Sequence, residues 1–522
     1  MSLGSPYAGL TWTQRCVLGT GVLTLAPAAI ATGIAAKVPI ALAVVVAVCA
    51  TVLLIRIPTG IVSTDTGSQP RRWLLVLVWI GLSLFGGYKL ASLSVFMLDV
   101  ERVEHAGAPH IRELAEAEMA VPFFPTHNCF TCYIVAAHVA GERVENIYDG
   151  SLYRDPETAT PIHDTIGDKL HVDRYQYPPP FLVLPKLLMA TGGDFFQLRT
   201  YWFTLNVFAL FAVVSVLTVW SSGPEFSVRW LAWPLIICAP CVLLPLQMEN
   251  AHVLMIVISV GAMLAFERRW HWLGGPLLGF AVVAKLFPGV LLAYLLLQKR
   301  FRAVAWTLAA MCAYCVIALI LFGTQPFTAF WEYQMPRLAS GEAFSFAFER
   351  LRPMLLNGSV MGIAYKLDKL DLVTNPADLA RLLNWILTGV IGIAVLVFAL
   401  RGPRSVVLDD DESPADRPAL ARIWLVLLVL AQLRSPFLPW AYGNVAPLLL
   451  LTLMIPVGAL RWRHAFFLVP VFLMLAVAIP LPYGSETITI DLMHTLTASA
   501  VVIVICLVIV VRAALPRRQT AS

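Results

Sequence analysis

The chain alternates between long apolar segments and short polar ones, with one large exception near its N-terminal end. Three apolar segments fill most of residues 12–98, and about eighty mixed residues follow, from Asp99 to Tyr177. This polar stretch closes in the run Tyr175-Gln176-Tyr177-Pro178-Pro179-Pro180, after which apolar segments dominate again. Because a helix needs roughly 20 apolar residues to cross a bilayer core, the pattern predicts a membrane protein with one long loop outside the bilayer.

The predicted fold is an all-α polytopic membrane bundle of about 12–14 transmembrane helices. Its long first loop is expected to contain short helices at Ile111–Ala120 and Thr131–Ala140. The segment Pro179–Thr191 is too short to span comfortably and is expected to be re-entrant or interfacial. A hairpin is expected to turn at Lys285-Leu286-Phe287-Pro288. The predicted full spans lie at about 15–36, 38–55, 73–98, 197–220, 229–246, 251–267, 303–323, 382–401, 420–435, 442–457, 464–483 and 490–512.

The same pattern divides the chain into three predicted regions. Residues 1–72 form an additional N-terminal two-helix hairpin with a cytoplasmic linker. Residues 73–460 form the membrane core, which carries the outer loop 99–177 and a second outer loop, 324–380. Residues 461–522 form a C-terminal transmembrane hairpin and a basic cytoplasmic tail.

Charge gives the predicted spans a direction. The chain is 59 % hydrophobic and 13 % charged, with a formal net charge of +5, whereas ordinary soluble domains are about a quarter charged. Basic residues cluster at span ends, as in Arg268-Arg269, Lys299-Arg300 and Arg517-Arg518. By the positive-inside rule, these loops and both termini are expected in the cytoplasm, with the chain in the cytoplasmic (inner) membrane. The basic residues do not indicate a nucleic-acid partner.

With this topology, the polar residues in or beside the apolar segments all map to the outer face. Polar groups within a bilayer are costly and usually functional, so we expect them to form one site at the outer membrane boundary. They are the long loop, Gln247–His252, Lys285, Asn357–Ser359 and Arg434–Asn444. The segment Gln247–His252 is expected either to hold a sugar or a proton, or to be an exposed polar turn.

Two cations and several loop residues are candidates for chemistry. Lys285 stands in an apolar helix and needs an anionic partner, and the Arg434 guanidinium can bind phosphate in a bidentate manner. The alternatives are that Lys285 extends toward lipid headgroups and that Trp440 and Tyr442 anchor the chain at the interface. A loop carboxylate or imidazole can serve as general base on an acceptor hydroxyl. The polar loop residues include Asp99, Glu101, Glu104, His127, Asn128, Asp149 and Asp173.

No cofactor is expected from the sequence. It contains no Walker loop and no nucleotide-binding glycine pattern. Cys129 and Cys132 form a Cys-x-x-Cys pair in the outer loop, but two thiols fall short of a zinc site. A disulfide and a metal both stay open for this pair, although a divalent metal is not otherwise indicated.

These residues, in this order, resemble the polyprenyl-phosphate-mannose-dependent mannosyltransferases of glycosyltransferase family 87, within the GT-C class of membrane glycosyltransferases. The similar pieces cover roughly residues 73–460. They are Tyr133-Ile134-Val135-Ala136-Ala137 with Gly141 and Tyr148-Asp149, Tyr177-Pro178-Pro179, Gln247 to His252, Ala284-Lys285-Leu286-Phe287-Pro288 before Gln298-Lys299-Arg300, Asn357-Gly358-Ser359, and Ser435-Pro436 with Trp440.

The resemblance implies an inverting hexosyl transfer, with mannose as the first choice, from a polyprenyl-phosphate sugar donor to a lipid-linked or glycan acceptor. The transfer would take place at the outer face, among membrane lipids. Lys285 and Arg434 would bind the donor phosphate. The residues expected to bind substrate are Tyr133, Asp149, Tyr177, Glu249, Asn250, His252, Asn357 and Trp440.

The family's catalytic Asp usually stands just before the Tyr-x-x-Ala-Ala stretch, where this chain reads His127-Asn128-Cys129-Phe130. Cys129 aligns with that Asp. The catalytic candidates are therefore Asp99, Glu101, His127 and Asn128. Either His127 takes over as the base, or Asp99 or Glu101 folds back into the site, or the activity is lost.

Two other classes of protein stay open as alternatives. One is a multi-pass transporter or lipid flippase, which would spread polar residues through the midplane and show an internal repeat. Neither feature is evident in the sequence. The other is an inactive GT-C-like scaffold for envelope assembly, which the missing Asp keeps open.

Overall fold

The computed structural model of the chain describes residues 25–37, 69–98, 128–153, 172–222, 232–403, 417–454, 462–476 and 485–515. Within these residues the regular structure is helical, apart from one isolated bridge between Asn357 and Pro439. The predicted all-α fold is thereby confirmed. Several predictions fall outside the described residues, namely the span at 38–55, the loop helix Ile111–Ala120 and the candidate residues Asp99, Glu101 and His127.

The first half of the described chain contains eleven α-helices. In chain order they are α1 (Leu25–Ala35), α2 (Gln69–Leu98), α3 (Phe130–Gly141), α4 (Val183–Met189), α5 (Phe195–Ser222), α6 (Ala232–Cys238), α7 (Pro240–Gln247), α8 (Ala251–Glu267), α9 (His271–Lys285), α10 (Gly289–Leu297) and α11 (Phe301–Phe322). Short 3-10 helices lie at Gly150–Tyr153 and Pro179–Leu182.

The second half begins with a loop built from short helices. Its helices are α12 (Gln325–Ala329), α13 (Met335–Ser340), α14 (Phe346–Glu349), α15 (Leu351–Leu356) and α16 (Val360–Lys369). A π-turn at Phe330–Gln334 and a 3-10 turn at Glu342–Phe344 complete the loop. The remaining helices are α17 (Pro376–Arg401), α18 (Arg417–Gln432), α19 (Trp440–Gly443), α20 (Val445–Met454), α21 (Trp462–Ala476) and α22 (Ser485–Ala514).

Three predictions about short elements are confirmed. Helix α3 takes the place of the loop helix expected at Thr131–Ala140 and ends at Gly141. The 3-10 turn Pro179–Leu182 and α4 together form the short helical segment expected at Pro179–Thr191. The turn expected at Lys285–Pro288 separates α9 from α10.

Five described helices are long and apolar enough to cross a membrane, namely α2, α5, α11, α17 and α22. The pair α7 and α8 adds a sixth crossing if it is counted as one bent span. Helices α11 and α17 expose large apolar side chains, including Ile320 and Trp385, which are 75 % and 73 % exposed. Apolar faces of this size belong in lipid. The prediction of a polytopic membrane protein is confirmed.

One predicted span is wrong. Residues 229–246 do not form a continuous helix, because α6 ends at Cys238 and α7 begins at Pro240, with Ala239 extended between them (φ −74°, ψ 124°). A proline lacks the N–H for the helical hydrogen bond and disfavours the helical conformation in the residue before it. Helices α7 and α8 then meet at a bend of 115°. The polar segment at this bend is directed toward the interior of the protein.

Candidate active site

The site is organised where α3 begins, against the break between α7 and α8. The Cys129 N–H donates to the Met248 carbonyl at 2.8 Å, and Asn250 Nδ2 donates to Cys129 Sγ at 3.3 Å. One turn further along α3, the Tyr133 hydroxyl accepts a hydrogen bond from the Ala251 N–H at 3.1 Å. These three contacts hold the start of α3 against the interior of the helix bundle.

The segment between α7 and α8 is a buried bend. Glu249 adopts a φ of +57°, in the left-handed region. The Asn250 side chain caps α8 by accepting from the His252 N–H at 2.9 Å, an interaction typically worth about 1 kcal/mol. Glu249, Asn250 and His252 are all buried, so the expectation of an exposed polar turn is wrong.

The Glu249 carboxylate faces an arginine. It is 1 % exposed and is attracted by the fully buried Arg199 of α5, with the Asn128 side chain beside it. Arg199 also donates to the carbonyls of Phe96 and Met97 at 2.7 and 2.8 Å. This group therefore joins α2, α5 and the α7–α8 break. The attraction to Arg199 and the hydrogen bond from Trp202 Nε1 to the Glu249 carbonyl at 3.1 Å give Glu249 a structural role at this break.

The end of the long loop brings a row of tyrosines to the bend. Tyr177 precedes a proline, which favours extended backbone, and extended backbone places alternate side chains on one side. Tyr175 and Tyr177 follow this rule, with ring centroids 5.8 Å apart. The Tyr177 hydroxyl lies 3.1 Å from that of Tyr133, and its ring stacks on Phe181 at 4.9 Å. The loop thus closes on the same surface where α3 begins.

Lys285, the last residue of α9, reaches over this aromatic surface. Its Nζ lies 5.0 Å from the ring centroid of Tyr177 and 5.5 Å from that of Tyr442. The side chain is half-buried. Among the described residues, no carboxylate forms an ion pair with it. Ring faces attract an ammonium group but do not neutralise its charge, so the arrangement leaves the cation available to an anionic ligand.

His252 links this cluster to the second half of the chain. Its ring stacks on Phe287 at 5.0 Å and lies 5.2 Å from the ring of Tyr442. Its Nε2 lies 2.9 Å from Gln432 Oε1, at the end of α18. The bend, the turn after α9 and the end of α18 therefore meet at one histidine.

Asp173 adds a carboxylate to the cluster. It lies within hydrogen-bonding reach of the Cys129 thiol and interacts electrostatically with Tyr177 and Tyr442. Burial, followed by the Asp173 charge, raises the pKa of the Cys129 thiol well above its usual range. Cys129 is therefore a neutral thiol that donates to the carboxylate. Cys129 and Cys132 are not joined by a disulfide, so the disulfide that the sequence left open is not formed.

A second group of predicted residues joins the second outer loop to the segment that follows α18. Asn357 is fully buried, and its Oδ1 accepts from the N–H groups of Ser359 and Leu438 at 3.1 and 3.0 Å. Its Nδ2 donates to the Pro436 carbonyl at 3.0 Å. Nearby, Trp440 is buried with its indole nitrogen unpaired among the described residues. The Asn357 side chain is thus largely used in holding the chain together.

The remaining predicted residues are spread more widely. Asn128 is buried and its Oδ1 accepts from the Phe130 N–H at 2.8 Å, which starts α3. Asp149 is exposed and accepts from the Ser151 N–H at 3.0 Å; these hydrogen bonds lower the pKa of its carboxyl group. Arg434 is exposed just beyond the end of α18. Asp99, Glu101 and His127 lie outside the described residues.

The structure therefore brings together Tyr133, Tyr177, Asn250, His252 and Lys285 from the predicted site. It adds three residues that were not among the predicted site residues, namely Asp173, Gln432 and Tyr442. One signal was present for Asp173, since it lies four residues before Tyr177, on the same side of an extended chain. Nothing in the sequence pairs Gln432 with a histidine 180 residues away.

Comparison with known proteins bears on the same residues. The family model of glycosyltransferase family 87 matches residues 175–412, a little under half of the chain. The match begins at the tyrosine row and includes the α7–α8 bend, Lys285 and Asn357. Neither a curated protein nor a solved structure matches the chain. Over residues 175–412 the chain is therefore similar to glycosyltransferase family 87.

Proposed function

We propose that this chain transfers a hexose, with mannose as the first choice, from a polyprenyl-phosphate sugar to a hydroxyl of a lipid or glycan acceptor. The transfer inverts the anomeric carbon and takes place at the outer face of the cytoplasmic membrane. Polyprenyl phosphate is a lipid-borne leaving group, so its site must combine a membrane-embedded scaffold with a cation. The observation that carries the proposal is Lys285, which is held over two tyrosine rings beside the bend.

The chemistry follows from the charge that develops during transfer. As the bond between the anomeric carbon and the phosphate oxygen breaks, negative charge accumulates on the phosphate. A cation that is already in place stabilises that charge without reorganisation, and its effect is larger in a partly dry site than in water. Lys285 meets both conditions, because it is half-buried among aromatic rings. Arg434, exposed beyond α18, is proposed as a second phosphate ligand.

Lys285 is also placed where the sugar can be recognised. Within its cluster, Asn250, His252 and the hydroxyls of Tyr133 and Tyr177 supply donors and acceptors of the kind that bind sugars. The Tyr177 ring offers an apolar face to the pyranose. These groups come from the loop end, α3 and the bend, so a donor bound there would contact the whole cluster.

The proposal is tested by sugar transfer with the purified full-length protein in lipid nanodiscs. The donor is a polyprenyl phosphate carrying radiolabelled mannose, and the acceptors are the lipids and glycans extracted from native membranes. We expect labelled product from wild type, about a 10- to 1,000-fold lower rate from Lys285→Met, and partial retention in Lys285→Arg. Lys369→Met removes an exposed lysine at the end of α16 and should match wild type.

Two results would contradict the proposal. One is the absence of transfer from this donor to every acceptor fraction. The other is a Lys285→Met variant as active as Lys369→Met. Flux of a polyprenyl-phosphate lipid across proteoliposomes without any sugar transfer would favour the flippase alternative.

A further inference from the structure

The carboxylates of the described site differ in what they face. Glu249 is 1 % exposed and lies beside Arg199, so an acceptor molecule cannot reach it without opening the bend. Asp173 is half-buried and interacts with Cys129, Tyr177 and Tyr442. Two of these three residues are the tyrosines whose rings Lys285 covers. Asp173 therefore borders the same space as the proposed phosphate ligand.

The route of the chain explains this placement. Asp173, Tyr175 and Tyr177 alternate along the segment that leads into Pro178, where extended backbone is favoured. Tyr175 donates to the Pro178 carbonyl at 3.0 Å, and Tyr148 donates to the Tyr177 carbonyl at 2.9 Å. These two hydrogen bonds fix the segment at Tyr175 and at Tyr177, and they thereby restrict where Asp173, two residues before Tyr175, can lie.

Cys129 interacts with both the carboxylate and the cation. Its thiol is within hydrogen-bonding reach of Asp173, and its side chain also interacts electrostatically with Lys285. An inverting transfer needs a base on one side of the anomeric carbon and a cation at the departing phosphate on the other. Asp173 and Lys285, which both interact with Cys129, supply a carboxylate and a cation of the two kinds required.

We infer that Asp173 is the general base of the transfer reaction and that Cys129 is a positioning residue that holds its carboxylate by a hydrogen bond. The inference rests on the proposed function and deepens it. It adds to Asp99, Glu101 and His127, the candidates from the sequence, a carboxylate that enters from the opposite end of the same loop. The position where the family's Asp is expected, Cys129, is then a neighbour of the base and not the base itself.

The proposed step balances in protons and electrons. The acceptor hydroxyl gives its proton to the Asp173 carboxylate while its oxygen bonds to the anomeric carbon. The bond from that carbon to the donor phosphate oxygen breaks, and its electron pair leaves with the phosphate, whose charge Lys285 stabilises. The products are the glycosylated acceptor and a polyprenyl phosphate. The Asp173 carboxyl group then returns its proton to solvent or to the released phosphate.

The inference is tested by removing the Asp173 carboxylate and then returning a carboxylate at the neighbouring position 129. Asp173→Asn keeps the shape and removes the base, so transfer should fall about 10²- to 10⁴-fold. Binding of unlabelled polyprenyl phosphate should stay within about threefold of wild type, because that ligand depends on Lys285. The double variant Asp173→Asn with Cys129→Asp returns a carboxylate to the neighbouring position and should regain at least about tenfold over Asp173→Asn. Formate added to Asp173→Ala should also restore part of the rate.

The matched control is Asp371→Asn. Asp371 is an exposed carboxylate in the turn after α16 with a φ of +55°, a conformation that Asn also adopts readily. This variant should transfer sugar at the wild-type rate. Glu249→Gln tests the other carboxylate of the cluster. This variant should lower the free energy of unfolding more than it lowers the transfer rate of the protein that remains folded.

The outcomes separate this inference from the function it rests on. Wild-type transfer together with an Asp173→Asn rate within threefold of wild type overturns the inference and leaves the proposed function standing. A large loss that neither Cys129→Asp nor formate rescues also overturns it, because a lost structural contact would behave in that way. If wild type itself transfers no sugar, the proposed function fails and takes the inference with it.

Discussion

His252 and Gln432 are joined by a hydrogen bond of 2.9 Å whose direction is fixed by a second bond. Gln432 Nε2 donates to the Gly443 carbonyl at 2.7 Å, so the amide oxygen Oε1 must be the atom that faces His252. Because an amide oxygen only accepts, His252 Nε2 carries the proton. His252 Nδ1 is then an acceptor, and it is buried with no partner among the described residues. It is free to receive a hydrogen bond from a ligand hydroxyl.

The Gln432 amide is therefore expected to be essential to the packing of α8, α18 and α19. Gln432→Leu would leave His252 Nε2 and the Gly443 carbonyl buried without partners, and each unsatisfied group costs about 1–3 kcal/mol. We expect a loss of about 2–4 kcal/mol in the free energy of unfolding. Denaturant unfolding in detergent micelles, followed by tryptophan fluorescence, measures it.

Gln298→Leu is the matched control for this prediction. Gln298 also donates through its amide, to the Tyr294 hydroxyl at 2.7 Å, but it is half-exposed at the end of α10, where water can replace the lost bond. Its substitution should cost less than about 1 kcal/mol. Equal losses in the two variants would show that the His252–Gln432 bond contributes little.

The helices of this protein were largely predictable from the sequence, because hydrophobic length alone marks them. The loop helix α3, the short segment after Pro178 and the turn at Lys285 were all found from periodicity and proline positions. The error at 229–246 came from treating Pro240 as part of a span. A proline ends the preceding helix, and here Pro240 separates α6 from α7, one short helix before the bend that buries Glu249.

The site was predictable only in part. Lys285 and Tyr177 stood out because each is conspicuous in its own segment, a cation in an apolar helix and an aromatic residue before prolines. Gln432 and Tyr442 did not, since their importance lies in contacts with His252 and Lys285, which are 180 and 157 residues away along the chain. Asn357 was expected to bind substrate, but its contacts with Ser359, Pro436 and Leu438 depend on a loop path that periodicity does not reveal.

The ring of Tyr177 is expected to matter more for donor binding than its hydroxyl. Tyr177→Phe keeps the ring beneath Lys285 and removes only the contact with the Tyr133 hydroxyl. Tyr177→Leu removes the ring, and a partly desolvated cation–π contact is worth about 1–2 kcal/mol. We expect the Kd for polyprenyl phosphate to rise about 5- to 30-fold in Tyr177→Leu and less than about threefold in Tyr177→Phe. Displacement of a fluorescent polyprenyl phosphate from nanodisc-embedded protein gives both values.

Tyr333→Leu is the control, because it removes an aromatic ring that lies beside a different cation, Arg337. Tyr333 lies under Arg337 at 4.6 Å in the second outer loop, and its substitution should leave donor affinity unchanged. If the Phe and Leu variants of Tyr177 bind the donor equally well, the ring does not hold Lys285 in place. If Tyr333→Leu weakens binding as much as Tyr177→Leu, the effect is not local to Lys285.

The buried ion pair between Glu267 and Arg300 is expected to be critical for the stability of the bundle. Arg300 Nη1 lies 2.5 Å from Glu267 Oε1, and the two side chains are 8 % and 1 % exposed. The pair joins the end of α8 to the residue before α11. Removing one partner strands a buried charge, which typically costs 3–5 kcal/mol, so Arg300→Ala and Glu267→Ala should each lose roughly that much in unfolding free energy.

The double variant and an exposed pair make this prediction specific. Glu267→Ala with Arg300→Ala should lose clearly less than the sum of the two single losses, because neither charge is then stranded. The exposed pair of Arg381 and Asp378, with side chains 74 % and 63 % exposed and 3.4 Å apart, provides the contrast. Arg381→Ala should cost less than about 1 kcal/mol. Additive losses in the buried pair, or a loss in Arg381→Ala as large as that in Arg300→Ala, would show that burial does not set the strength of the Glu267–Arg300 contact.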